Sequence, residues 1–261
     1  MEVGLALPQF DFSVAGESPL RWATVVEWAT RADAAGFAHV WMADHLFLEV
    51  EKYGGPPGRF DAFDPFVGLA ALARVTTRVR LGTLVLCAQL RRPGITGKML
   101  ATLDDLSGGR VIAGVGAGWY EPEYAAAGIP FERPGVRVQQ LEDTVIALKG
   151  SLTTPVWVGG RGDKVMEVAA RHADGFNHGG WNDKAPPRRL DAFWATCERV
   201  GRDPATITLA VNHTVGDPAA LADELGAFEE EGATTVIVGL GQLPFSVTTF
   251  DALDRVASYL P

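Results

Sequence analysis

Asp44 and His45 stand side by side directly after the apolar run HVWMA. An imidazole titrates near neutral pH and can take or give a proton, while a neighbouring carboxylate can orient it or fix backbone. The competing reading is a solvated loop pair or a structural hydrogen bond. A second candidate is GGRGDK, Gly159 to Lys164, between an apolar run and a helical pattern. Successive amides at a helix start, at Gly160, Arg161, Gly162 and Asp163, suit a phosphate, and Arg161 adds a matching charge. The segment lacks the GxxxxGK[ST] pattern of a Walker loop. A third candidate is GVGAGW, Gly114 to Trp119. Missing side chains at Gly114, Gly116 and Gly118 let backbone approach something flat and large, though the spacing is not the GxGxxG of a dinucleotide fold.

Aromatic residues add to this set. Trp119 and Trp181 fall on predicted loops and read toward a pocket for a planar ligand, whereas Trp41 and Trp157 fall inside predicted strands and read as core. His178 and His213, near the ends of predicted strands, are rim candidates with a structural role as the alternative. The run GTLVLC, Gly82 to Cys87, reads as an ordinary buried strand or as one with an inward bulge. No GxSxG elbow and no Ser-His-Asp set is evident. Acidic residues in helical patterns read as solvated faces, and Arg133, Arg137 and Glu142 as surface ion-pair formers.

The elements that must carry these residues alternate. Strands are predicted at Val3 to Pro8, His39 to Ala43, Val79 to Leu86, Arg110 to Gly116, Pro155 to Gly160, Gly175 to Gly179, Ile207 to His213 and Thr234 to Leu240. Several are continuous apolar runs, as expected of parallel strands covered on both faces. Helices are predicted at Pro19 to Gly36, from Pro65 behind an Asp64 cap, and at Pro93 to Leu106, Pro134 to Leu148, Asp163 to His172, Pro186 to Val200, Pro218 to Glu231 and Val247 to Leu260. Strict β–α alternation ending in a helix predicts an α/β fold, a closed (β/α)8 barrel, over a doubly wound sheet. Such barrels place their chemistry at the carboxyl ends of the strands. The longest irregular piece, Leu46 to Phe63, is a candidate functional loop.

Composition bounds the function. The chain has 261 residues, 47% of them hydrophobic, enough for one large core. A net charge of −9 argues against nucleic acid. No apolar run is long enough to span a membrane, and the first residues lack the pattern of a signal peptide, so a cytoplasmic protein is expected. The two cysteines, Cys87 and Cys197, are expected to be free thiols, and the five histidines form no ligand motif, so no metal site is expected.

Six segments in order carry a family resemblance: VWMADHLF, TTRVRLGTLVLCAQLRRP, KMLATLDDLSGGRVIAGVGAGW, AGIPFERPGVRVQQLED, VWVGGRGDK and ARHADGFN. Over roughly residues 1–180 the chain resembles the bacterial luciferase-like monooxygenases, and within them the branch using the deazaflavin coenzyme F420. The resemblance implies a single luciferase-like TIM-barrel domain over residues 1–261. It implies a ring lying across the carboxyl ends of the strands, backed by a non-prolyl cis peptide at Leu84-Val85. It also implies cofactor contacts at Asp44, His45, Cys87 and Gly116, and a phosphate held at Gly160, Arg161, Gly162 and Asp163. His45 would be the catalytic acid or base, and Trp119, His178 and Trp181 would line the substrate pocket. Trp119 stands where some relatives carry an acidic catalytic residue. The segment near 149–154 is shorter than in relatives, where an insert helps cover the pocket. The implied function is hydride transfer between F420 and a small organic substrate by a homodimer. The alternatives are an FMN-dependent monooxygenase and a non-catalytic flavin-binding protein.

Overall fold

The computed structural model describes residues 1–53, 55–179, 190–240 and 249–258. Its strands form one parallel sheet that closes on itself. In spatial order the staves run Glu2–Ala6, His39–Met42, the third strand, Val111–Gly116, Val156–Gly160, Gly175–His178, Thr208–Val215 and Thr235–Leu240, which pairs back to the first. The third strand is recorded in two pieces, Arg80–Thr83 and Leu86–Cys87, so nine segments make eight staves. This is the (β/α)8 barrel that the alternation predicts.

Local chemistry sets the helix ends. Asp64 accepts the Val67 amide at 2.9 Å ahead of Pro65–Leu72, and proline opens Pro93–Ser107 and Pro134–Ser151 where its missing N–H costs nothing. Gly36 and Gly108 close Trp22–Ala35 and Pro93–Ser107 in the left-handed region, at φ 93° and 72°. Among the described residues no helix is long and apolar enough to cross a membrane. Two elements depart from expectation. The stretch from Leu46 to Phe63 holds an antiparallel hairpin, Phe47–Glu49 against Arg59–Asp61, and a short helix, Glu121–Ala126, follows the fourth strand.

The core has two compartments. The larger packs the outer faces of the strands against the helices. The smaller fills the barrel interior with Trp41, Ile112, Trp157, Ala210 and Ile237. Two indoles fit there because facing positions carry no side chain. A Cβ on Gly82 would come within 2.1 Å of Trp41, and one on Gly175 within 2.6 Å of Trp157. Reading Trp41 and Trp157 as core therefore holds.

His39 lies beneath them, at 0% exposure. Its Nδ1 accepts the Trp41 indole N–H at 2.7 Å. Its Nε2 has no hydrogen-bond partner among the described residues and lies 3.7 Å from the Glu2 carboxylate. Burial, reinforced by the nearby Arg80 charge, holds His39 down to about 3 from an ordinary 6.5. The unfolded chain therefore takes up this proton first. The stability that the neutral ring preserves is complete above pH 6.5 and is lost as pH falls from there toward 3. The expected slope from this one group is about 1.4 kcal/mol per pH unit. Urea unfolding between pH 7 and 4.5 should show it, and His39→Gln should flatten it. An equally steep acid loss in that variant would show that His39 is not its source.

Candidate active site at the carboxyl ends of the strands

The third and fourth strands are out of step. Gly82 pairs with Ile112, but Leu86 pairs with Val115, so the third strand holds one more residue than its partner between these points. This is a bulge. The Leu84–Val85 peptide within it is cis, at the position the resemblance implies. Thr83 repairs the broken ladder, its hydroxyl accepting the Gly114 amide at 2.9 Å and donating to the Gly114 carbonyl at 2.8 Å. The Val85 side chain turns into space left by three glycines. A Cβ at Gly114, Gly116 or Gly159 would come within 3.1, 2.6 or 2.6 Å of it. Gly114 and Gly116 thus make room for the chain's own bulge.

Gly118, at φ 66°, serves the same end of the barrel, because a Cβ there would meet the Tyr124 hydroxyl at 1.8 Å and Cys87 Sγ at 2.8 Å. The Tyr124 hydroxyl lies 3.2 Å from Cys87 Sγ and donates to Gln89 Oε1 at 2.9 Å. Gln89 in turn donates to the Arg137 carbonyl at 3.1 Å. Burial pushes the Cys87 thiol and the Tyr124 phenol up, so both are neutral donors at pH 7.

Asp44 is 4% exposed, and its Oδ2 accepts the Cys87 amide at 2.9 Å and Arg91 Nη1 at 2.7 Å. Arg91 also reaches Asp64 at 3.2 Å. Asp44 therefore ties the second strand to the end of the third, which is the backbone-fixing role considered for it.

His45 meets a different carboxylate. Its Nδ1 lies 2.9 Å from Glu123 Oε2, and Glu123 Oε1 also takes the amides of Leu46 and Phe47. The imidazole is edged by Trp119, Phe10 and Tyr120, with ring centroids 5.7, 5.9 and 6.5 Å away. Trp119 is 51% exposed, with Lys52 Nζ 5.9 Å from its centroid. Gln9 braces this corner, exchanging hydrogen bonds of 2.6 Å with both the N–H and the carbonyl of Ala43 and giving one of 3.0 Å to the Phe63 carbonyl.

Gly160 to Asp163 lead into the helix Asp163–His172, whose cap position, Gly162, carries no side-chain cap. Nothing lies within 4 Å of a Cβ built on Gly162. Lys164 at this end also lines a concavity of about 560 Å³ with Arg133, Gly135 and Gln140. His178 is buried, in register with Gly160 across the fifth and sixth strands. Trp181 lies outside the described residues.

The fold thus brings His45 against Trp119, Asp44 against Cys87, Val85 against Gly116, and His178 beside Gly160. His213 is turned to its helix, 2.7 Å from Glu224, which gives it a structural partner. Glu142 pairs with His172 at 2.9 Å, not with Arg133 or Arg137, whose guanidinium lies over Phe131. Glu123 is the main residue that sequence reasoning misses. It sits in a helix yet is only 4% exposed, against the expectation that helical acids are solvated. Its only sequence signal is its place just after the Gly-rich loop. The 149–154 segment lies at the opposite end of the barrel. Lys149 and Thr153 line a concavity of about 530 Å³ with Glu2, Arg80, Thr208 and Thr235, all at amino ends of strands.

The chain matches the family model described as luciferase-like monooxygenase over residues 1–153 and 135–233. It is 30% identical over 251 residues to an uncharacterized protein of Mycobacterium tuberculosis, spanning 84% of this chain and 85% of that one. It is 30% identical over 178 residues to the F420-dependent glucose-6-phosphate dehydrogenase of Amycolatopsis mediterranei, spanning 58% of this chain and 52% of that one. Among solved structures it is similar to an F420-dependent secondary alcohol dehydrogenase in complex with an F420–acetone adduct. The TM-score is 0.78 at 17% identity, with 100% of this chain and 98% of that one covered.

The glycine seat for Val85 is open to test. Gly116→Ala should cost about 1–3 kcal/mol by overpacking. The same change should cost clearly less in a Val85→Ala background, measured as a double-mutant cycle by urea unfolding. Equal costs in the two backgrounds would remove Val85 from the explanation.

Proposed function

Because the chain belongs to the luciferase-like monooxygenase family, we propose that it is an oxidoreductase moving a hydride between coenzyme F420 and a small organic substrate at the carboxyl ends of the barrel strands. The observation that carries this reading is His45, held at 2.9 Å by Glu123 and walled by Trp119, Phe10 and Tyr120, on the same face as the bulge at Val85. Similarity to an F420-dependent glucose-6-phosphate dehydrogenase supports the choice of coenzyme.

The residues present fit such a group. The uncapped first turn after Gly162 offers amides and a positive helix end to a phosphate, with Lys164 beside it and Arg161 in the same loop. The bulge presents Leu84 and Val85 as an apolar support for a ring, and Cys87 stands next to it as a neutral thiol. Asp44 and Gly116 act one step back in this reading. Asp44 holds the end of the third strand, and Gly116 seats Val85.

When bound, F420 supplies a carbon that gives or takes a hydride. The chain supplies the rest. His45 gives or takes the proton that must accompany hydride transfer to or from a carbon–oxygen or carbon–nitrogen bond. Trp119 and the rings around it favour an apolar or aromatic face on the substrate. His178, beside Gly160, belongs to the wall of the same site.

Fluorescence titration of the protein with F420 and, separately, with FMN should show saturable binding of the deazaflavin and weaker binding of FMN. In a screen of small alcohols, aldehydes and imines, His45→Ala should lower turnover by roughly 100-fold or more. Its affinity for F420 should change by less than about threefold, since the ring nitrogen acts on the substrate's proton. A preference for FMN would favour a monooxygenase. Binding without turnover on any of these compounds would favour a binding protein. Unchanged turnover in His45→Ala would remove the proton role from His45.

A further inference from the structure

The geometry points to Glu123 as the positioning residue that decides which nitrogen of His45 faces the substrate. This rests on the reading of His45 as the group that handles the proton. A carboxylate offers no hydrogen, so the 2.9 Å contact with Glu123 Oε2 is satisfied only when His45 Nδ1 carries the hydrogen. The neutral ring then has a bare lone pair at Nε2, ready to accept a proton. In the opposite tautomer two lone pairs would face each other at Nδ1, inside a buried contact where such repulsion is strong.

Glu123 cannot turn away. Its other oxygen is held by the Leu46 and Phe47 amides, and the residue is 4% exposed. His45 cannot turn away easily either, because Phe10, Trp119 and Tyr120 crowd its ring. The same carboxylate thus fixes the imidazole and the start of the Phe47–Glu49 strand of the hairpin. One buried group sets both the base and the loop beside it.

This arrangement makes Glu123→Gln a sharp test. The two backbone donors demand an oxygen, so the glutamine carbonyl must take the place of Oε1. That leaves its NH2 group against His45 Nδ1. Nδ1 must then accept, and the hydrogen of the neutral ring moves to Nε2. The fold and the hairpin contacts persist while the tautomer inverts.

The measurement is a two-bond 1H–15N correlation spectrum of 15N-histidine-labelled full-length protein at pH 9, with no coenzyme present. The His45 signals are assigned by their loss in His45→Gln. Wild type should show His45 as the Nδ1–H tautomer, and Glu123→Gln should show Nε2–H. Glu123→Gln should also keep its F420 affinity within about threefold while kcat falls on the order of 100-fold. An Nε2–H or doubly protonated His45 in wild type overturns the proposal, and that measurement needs no variant of Glu123 to fold. An unchanged tautomer in a folded Glu123→Gln also overturns it. Failure of F420 to bind would instead overturn the functional reading and leave the tautomer result standing.

Discussion

The third strand carries one residue more than the strand beside it, and most of the site follows from that mismatch. Between Gly82 and Leu86 the chain must absorb the extra residue while its neighbour passes from Ile112 to Val115. A bulge inside a closed barrel has little room, because the interior is filled to the density of a crystal. Here the room comes from Gly114, Gly116 and Gly159 on the next two strands, which together seat one valine side chain. The backbone groups that the bulge would orphan are met by one hydroxyl. Thr83 both accepts from and donates to Gly114, so the Gly114 amide and carbonyl stay paired where the ladder is broken.

The polar network around the site is anchored to the same strand. Once the third strand has left the sheet, something must fix where it returns, and the Cys87 amide on Asp44 does so. Asp44 is in turn neutralised by Arg91, which bridges to the Asp64 cap of the following helix. Cys87, Tyr124 and Gln89 then tie the strand end to the short helix Glu121–Ala126. That helix is the one that delivers Glu123 to His45. The chain of contacts runs from bulge to strand end to helix to imidazole, each link shorter than 3.5 Å.

The sequence made the scaffold legible because its signals are local. Apolar runs covered on both sides, Asp64 before Pro65, and proline at the first turn of Pro93–Ser107 each act within a few residues. The strands lie within two residues of where periodicity puts them, except that the third is split. What periodicity cannot show is pairing between distant positions. Whether Gly114 faces a ligand or Val85 depends on the register of two strands, and only the fold sets that. Glu123 was hidden for a related reason. The sequence reading puts no helix between Leu106 and Pro134, and nothing nearby in sequence announces the amides of Leu46 and Phe47, more than 70 positions away. His39 is the converse case. Its type suggests chemistry, but its position beneath two indoles makes it a packed, neutral ring.

Comparing the two ends of the barrel shows how the chain separates stability from chemistry. At the amino end a histidine is buried without a charge partner in hydrogen-bonding range, and burial keeps it neutral far below physiological pH. At the carboxyl end a second histidine is placed against a carboxylate that is itself held by backbone amides. Both carry a fixed hydrogen bond at Nδ1, but with opposite sense. Trp41 donates to His39, so its Nδ1 must be bare, whereas Glu123 accepts from His45, so its Nδ1 must be protonated. The first leaves Nε2 carrying a buried hydrogen with no hydrogen-bond partner among the described residues, 3.7 Å from the Glu2 carboxylate. The second leaves Nε2 as a lone pair among rings that border solvent, with Trp119 half exposed. The same side chain thereby carries its hydrogen at Nε2 in one place and at Nδ1 in the other, set by the partner at a single nitrogen, and the fold needs only an indole or a carboxylate to choose between them.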